Sequence, residues 1–297
     1  MSATRSPTSA APNQLLGRRA VGAEIAAALD NAWRGRGTCL VVEGEAGIGK
    51  TTLASWAAEG AGERGFTVRW GRCDADAATP PLGPWVQMAR AHERDLTAEA
   101  LAAWRRRAAR PGDRELVDPP SGDDASAARH ELVRGWRDAW LDESGPSPLV
   151  LIVEDIHWAD VSSLLLLAEL ARQAAAHAIV VLATMRTGEP VVARIEGALD
   201  HARSLATVIP LSGLPPEAVA QLIRGADLPD DPALIDVLTE RTGANPFFLT
   251  ELLQVLSLSS AGGTGRMRIA TTEVPRRVSD VVQRRVARLP SAVAELL

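Results

Sequence analysis

Gly44-Glu45-Ala46-Gly47-Ile48-Gly49-Lys50-Thr51 decides the fold, because the run stands between an apolar strand and a helix. Upstream, Cys39-Leu40-Val41-Val42 is short and aliphatic, as a buried parallel strand is, and Gly35 and Gly37 mark the turn before it. Downstream, Thr51-Thr52-Leu53-Ala54-Ser55-Trp56-Ala57-Ala58 predicts a helix with no breaker before Gly60. In that setting the pattern G-x-x-x-x-G-K-[ST] is a phosphate cradle. Glycines at 44, 47 and 49 let successive N–H groups face one anion, and the helix start adds the positive end of its dipole. Lys50 then reaches the β and γ phosphates, and the Thr51 hydroxyl completes a Mg²⁺ shell. Every residue of the loop, with Thr52 behind it, is a candidate contact to a nucleoside triphosphate.

Further strand-like runs follow at Phe66-Thr67-Val68-Arg69-Trp70, Leu149-Val150-Leu151-Ile152-Val153, Ala178 to Ala183 and Ala206 to Leu211, with helical periodicity between them, notably over Ser162 to Ala175. Alternating strands and helices predict an α/β fold of the P-loop NTPase kind: a parallel five-stranded sheet with helices on both faces and ligand at the carboxyl ends of the strands. Glu154-Asp155 ends the third strand beside the cradle. One carboxylate there can hold Mg²⁺ and the other can polarise the attacking water. Position assigns Glu154 to the metal and Asp155 to the base, with the reverse split the alternative. At the end of the fourth strand, Thr184-Met185-Arg186 places a guanidinium where it can contact the γ-phosphate and report its loss.

The 297 residues are enough for two domains, and 32 basic against 37 acidic side chains leave a formal charge of −5, so no global field attracts nucleic acid. Cys39 and Cys73 fall on the first two strands and indicate no disulfide framework. Residues 1–14 lack an apolar signal core and read as a disordered tail, and no apolar run is long enough to span a membrane, so the expected location is cytoplasmic. The segment from 74 to 148 reads as a mostly helical insertion in a nucleotide-binding domain of residues 15–211. Trp136 and Trp140, four apart, are expected to pack on one face, and Arg105-Arg106-Arg107 with Arg110 to form a solvated helix face among acidic neighbours.

Leu151-Ile152-Val153-Glu154-Asp155-Ile156-His157-Trp158-Ala159-Asp160 and the Leu-rich run after it resemble the corresponding segment of large LuxR-type bacterial transcriptional regulators, members of the STAND class of AAA-like signalling ATPases and similar to the maltose regulator. Leu16-Gly17-Arg18 resembles the family's entry motif near the adenine, of which Gly17 and Arg18 are carried over. Thr242-Gly243-Ala244-Asn245-Pro246-Phe247-Phe248-Leu249 resembles its Gly-x-Pro segment, with Pro246 closing over the base and Ala244 standing where the family has glycine. The stretch from Val274-Pro275 to Leu289-Pro290 resembles the lead into a winged helix.

The resemblance implies a small helical lid over 212–263, a linker and incomplete winged-helix start over 264–297, and a DNA-binding part absent from this chain. It also implies ATP and ADP with Mg²⁺ as cofactors, and a switch run by nucleotide exchange and reset by slow hydrolysis. Self-association would belong to the ATP state, with no direct nucleic-acid or membrane contact. Three other readings share the cradle: a module regulating a fused cyclase or kinase, a small-molecule phosphotransferase, and an origin-recognition-like ATPase that binds DNA.

Overall fold

The computed structural model describes residues 15–75, 81–90, 123–145 and 147–260. The chain divides into two compact units: Val21–Leu211, and a second that combines the two ends of the chain, described over 15–20 and 212–260. The expected tail, the basic run at 105–110 and the winged-helix start lie outside the described residues.

The first unit is built on a five-stranded sheet in the order β2-β3-β4-β1-β5. Its strands are β1 (Thr38–Gly44), β2 (Thr67–Arg72), β3 (Leu149–Glu154), β4 (Ile179–Arg186) and β5 (Thr207–Pro210), and every pairing is parallel. All residues of β3 are buried, which is why it reads as an unbroken aliphatic run rather than an alternation. Alternate side chains divide between two layers. Val41, Leu151, Val181 and their like pack with Trp85, Trp140 and Leu166 on one face. Leu40, Val42, Ile152 and Leu182, also buried, point to the other, which α2 (Lys50–Glu63) covers.

The helices of this unit include α1 (Arg19–Trp33), α3 (Gly83–Arg90), α4 (Asp123–Glu143), α5 (Val161–Gln173) and α6 (Ala193–Ser204). The described parts of the predicted insertion, α3 and α4, are helical, and Trp85, Trp136 and Trp140 are buried. The rings of Trp136 and Trp140 lie 6.3 Å apart, as their spacing implies. Two sequence expectations shift. The helix after the cradle does not break at Gly60 but runs to Glu63, because Ala57 and Ala61 are buried one turn apart and that packing outweighs the ~1 kcal/mol cost of a helical glycine. The turn comes instead at Gly65, where φ is 81° and the Phe66 N–H returns to the Ala61 carbonyl. Cys73 lies just past β2, with its N–H on the Glu154 carbonyl.

In the second unit, α7 (Pro216–Gly225), α8 (Pro232–Thr242) and α9 (Pro246–Ser260) close around Val219, Ile223, Leu238, Leu249 and Leu252, with Leu16 packed against them. Proline opens α7 and α8 where its missing N–H costs nothing, and the Asp231 carboxylate caps α8 at the Ala233 N–H.

Candidate functional site

Register in a parallel sheet decides which side chains share an edge. Gly44 pairs with Arg186 across β1 and β4, and Arg72 pairs with Glu154 across β2 and β3. The cradle, both carboxylates and two arginines therefore emerge at one carboxyl edge.

The cradle leaves β1 with Gly47 at φ 76° and Gly49 at φ 103°, left-handed conformations that a side chain resists. Gly44 is constrained differently: a Cβ there would lie 2.6 Å from the Leu211 carbonyl oxygen and 2.9 Å from Ile48 Cγ2. Ile48 is buried and anchors the loop, while Glu45, Ala46 and Gly47 stay exposed. Lys50 opens α2 and is buried, its Nζ donating to the Gly44 and Glu45 carbonyls at 2.7 Å each. Burial, helped by Arg186, lowers its proton affinity, and Asp155, Glu189 and Glu45 oppose that shift. An ammonium aimed at its own loop beside the first amides of a helix is an anion site.

Thr51 Oγ1 donates to Glu154 Oε1 at 2.5 Å, and Trp70 Nε1 donates to Oε2 at 3.0 Å, so both oxygens of this buried carboxylate are held. Asp155 follows in a left-handed conformation, φ 57°, and its N–H donates to Thr184 Oγ1 at 3.1 Å. That twist turns the carboxylate toward two cations. Arg72 Nε and Nη2 each lie 3.2 Å from Asp155 Oδ2, and Arg186 Nε lies 3.7 Å from Oδ1. Arg186 also donates through Nη1 to Glu189 Oε1 at 2.8 Å, a bond that raises its proton affinity. His157, in the short turn Ile156–Trp158, accepts the Arg186 N–H on Nδ1 at 3.4 Å and brings Nε2 within 3.5 Å of Glu189 Oε2. Burial, joined by Arg186 and Lys50, lowers its pKa against the opposing pull of Asp155 and Glu189. Asp160 serves structure: it caps α5 at the Ser162 and Ser163 amides and takes the Leu82 N–H.

The residues fit a magnesium nucleotide. Among the described residues no three His, Cys, Asp or Glu side chains converge on one point, whereas a hydroxyl and a carboxylate in contact beside an anion cradle suit an ion that takes most of its shell from phosphate and water.

The structure brings together the whole cradle with Thr52, Glu154, Asp155 and Arg186. Gly17, Arg18 and Pro246 belong to the second unit. There Gly17 has φ 68°, and a Cβ on it would lie 2.6 Å from Pro215 Cδ. Arg18 Nη1 donates to the Gly213 carbonyl at 3.4 Å, and Pro246 opens α9. Ala244 takes φ 53° after Gly243 at 60°, a conformation in which glycine is the easier residue.

Sequence reasoning missed Trp70, Arg72, His157 and Glu189. The β2–β3 register would have shown Arg72 opposite Glu154, but a strand arginine reads as surface and a strand tryptophan as core. His157 and Glu189 needed the path of the chain after β3 and β4.

Residues 14–182 match the model of the AAA ATPase domain family. Among solved structures, the chain is similar to the ORC2 protein of Aeropyrum pernix in its ADPNP–ADP complexes, with 14% identity over 98% of this chain and 73% of that one and a TM-score of 0.51. Its ADP form gives 14%, 95%, 71% and 0.52. The STAND protein with a tetratricopeptide repeat sensor from Pyrococcus horikoshii is 17% identical over 89% of this chain and 32% of that one, with a TM-score of 0.46. At such identities the ORC2 likeness shows the fold alone: a parallel five-stranded P-loop NTPase architecture. No curated protein matches.

Proposed function

This chain belongs to the AAA ATPase domain family, and from that premise we propose that it is an adenine-nucleotide switch with slow Mg²⁺-dependent hydrolysis, acting in transcriptional regulation of the LuxR type. One observation carries the reading of the site. The Thr51 hydroxyl meets a buried carboxylate, Glu154, beside a lysine folded over its own loop, while a second carboxylate, Asp155, follows on a left-handed backbone and lies against Arg72 and Arg186 rather than Thr51. This favours the split of roles in which Thr51 and Glu154 hold Mg²⁺ and Asp155 is the base. Mg²⁺ held there would supply charge neutralisation to the polyphosphate.

Lys50 and the α2 amides bind the polyphosphate, and Thr184 orients Asp155 to accept a proton from water. Arg186 takes the γ-phosphate. Asp155 already lies against Arg72 and Arg186, and these ion pairs must give way before it can engage a water, which supports slow turnover. Gly17, Arg18 and Pro246 form the adenine end, residues 212–263 act as the lid, and exchange of ADP for ATP opens the lid and permits self-association. No helix among the described residues is long and apolar enough to cross a membrane, in keeping with a cytoplasmic role.

The test is nucleotide content and turnover of the purified chain. Wild type should retain ADP and hydrolyse ATP below about 1 s⁻¹, the low end of enzyme rates. Lys50→Ala should lose the ADP, and Asp155→Ala should keep it while turnover falls. Retention in Lys50→Ala equal to wild type would overturn the assignment.

A further inference from the structure

Arg186 is the guanidinium on which a γ-phosphate reading depends, and the fold gives it an anion of its own. Three residues past the end of β4, with Gly188 at φ 80° in the turn between, Glu189 returns to the sheet edge. One of its oxygens accepts from Arg186 Nη1 at 2.8 Å, and the other lies 3.5 Å from His157 Nε2. An ordinary pair at i and i+3 on a surface has two exposed, mobile partners. Here a third member, His157, has a side chain only 3% exposed, accepts the backbone N–H of Arg186 itself, and faces Glu189 with its other ring nitrogen, so a buried side chain stands beside both partners of the pair. Glu189 is also near enough to the cradle to raise the proton affinity of Lys50, against the effect of Arg186.

We propose that Glu189 is an internal competitor of the γ-phosphate for Arg186, and that it thereby sets the preference of the site between a nucleoside triphosphate and a diphosphate. Such competition rests on the nucleotide reading above. Arg186 stands in register with Gly44, where the cradle begins, so a terminal phosphate held by Lys50 and Thr51 addresses the same guanidinium as Glu189. Two anions side by side repel, and one guanidinium turned to the phosphate gives up Glu189. Triphosphate binding therefore breaks the Arg186–Glu189 pair and moves the 187–190 turn, whereas a diphosphate leaves both in place. The ion pair acts as a built-in bias toward the diphosphate state, and its rupture is the structural signal that a γ-phosphate has arrived.

Calorimetric affinities for ADP and for a non-hydrolysable ATP analogue, both with Mg²⁺, test this in wild type, Glu189→Gln, Arg186→Ala and the double variant. In Glu189→Gln the preference for the triphosphate analogue should rise about threefold to tenfold, with the change confined to the analogue. Glu189→Ala, at an exposed turn, serves as the second variant and should behave alike. In the Arg186→Ala background the same substitution should change neither affinity by more than about twofold, because the coupling has lost its partner. Equal shifts for both nucleotides, or none, in a wild-type background that binds both would overturn the competitor and leave the proposed function standing. A wild-type chain that binds neither nucleotide would overturn the proposed function and this inference with it.

Discussion

Glu154 has both oxygens taken by protein donors, Thr51 on one side and Trp70 on the other, and the two donors differ in kind. A threonine hydroxyl can rotate toward a metal ion and keep the carboxylate as a neighbour. The indole N–H can do nothing but hold Oε2, so Trp70 fixes the direction in which Oε1 points. Trp70→Phe keeps an aromatic side chain, though a smaller one, and deletes the donor, leaving a buried carboxylate oxygen with Arg72 Nε, 3.9 Å from it, as its nearest cation. The expected cost is about 1–3 kcal/mol, the penalty for an unsatisfied buried acceptor, read as a lower urea midpoint with an unchanged slope. Magnesium-dependent nucleotide affinity should fall in the same variant, and an unchanged midpoint would show that Trp70 is merely packed there. The cradle, Glu154, Asp155 and Arg186 were legible in the sequence because they are adjacent to strands whose ends chemistry must use. Trp70, Arg72, His157 and Glu189 were not, because each acts through a neighbour remote in sequence or around a turn.

Elements in this chain are punctuated by glycines that serve opposite purposes. Gly71 in β2 passes under the start of α3, where a Cβ would fall 2.2 Å from the Pro84 carbonyl oxygen, and nothing in rigid backbone can yield that far. Next to it the Gln87 amide closes the strand edge by accepting the Arg72 N–H at 2.9 Å and donating to its carbonyl at 3.1 Å. Gly135, within α4, faces open space: a Cβ added there would meet no atom within 4 Å, and only the helix propensity penalty distinguishes it from alanine. Gly135→Ala should therefore raise stability by about 0.5–1 kcal/mol, while Gly71→Ala should lower it by about 3 kcal/mol or more through displacement of α3. Thermal midpoints of the two variants check both signs, and a neutral Gly71→Ala would mean that the α3 contact is not as close as described. The sequence could not separate these two glycines. Four strands announce themselves as aliphatic runs and β2 as the mixed run Phe66-Thr67-Val68-Arg69-Trp70, yet their order and register depend on crossovers that periodicity does not encode. The helix after the cradle outruns Gly60 for a different reason, the tertiary burial of Ala57 and Ala61 on either side of it.

At the scale of the molecule, the only two cysteines of the chain, Cys39 and Cys73, lie buried in the sheet unit and none lies in the helical one. Burial pushes the Cys39 thiol up to about 12 and raises Cys73 as well, with Asp160 and Asp155 adding to the second shift. Since the thiolate is the reactive species, both are inert until the sheet opens. Their labelling by a disulfide reagent is thus a built-in clock for opening of the nucleotide-binding unit alone. The native chain should label only over the time of global or sub-global opening, and both thiols should react at once in denaturant. A ligand bound only by the closed unit slows opening by mass action, so nucleotide at 100 times its Kd should retard labelling about 100-fold when reclosing is faster than reaction. Lys50→Ala should label at a rate that nucleotide does not change. Fast stoichiometric labelling of the native chain would contradict the packing of the sheet, whereas labelling that is slow but indifferent to nucleotide in wild type would keep the fold and remove its ligand.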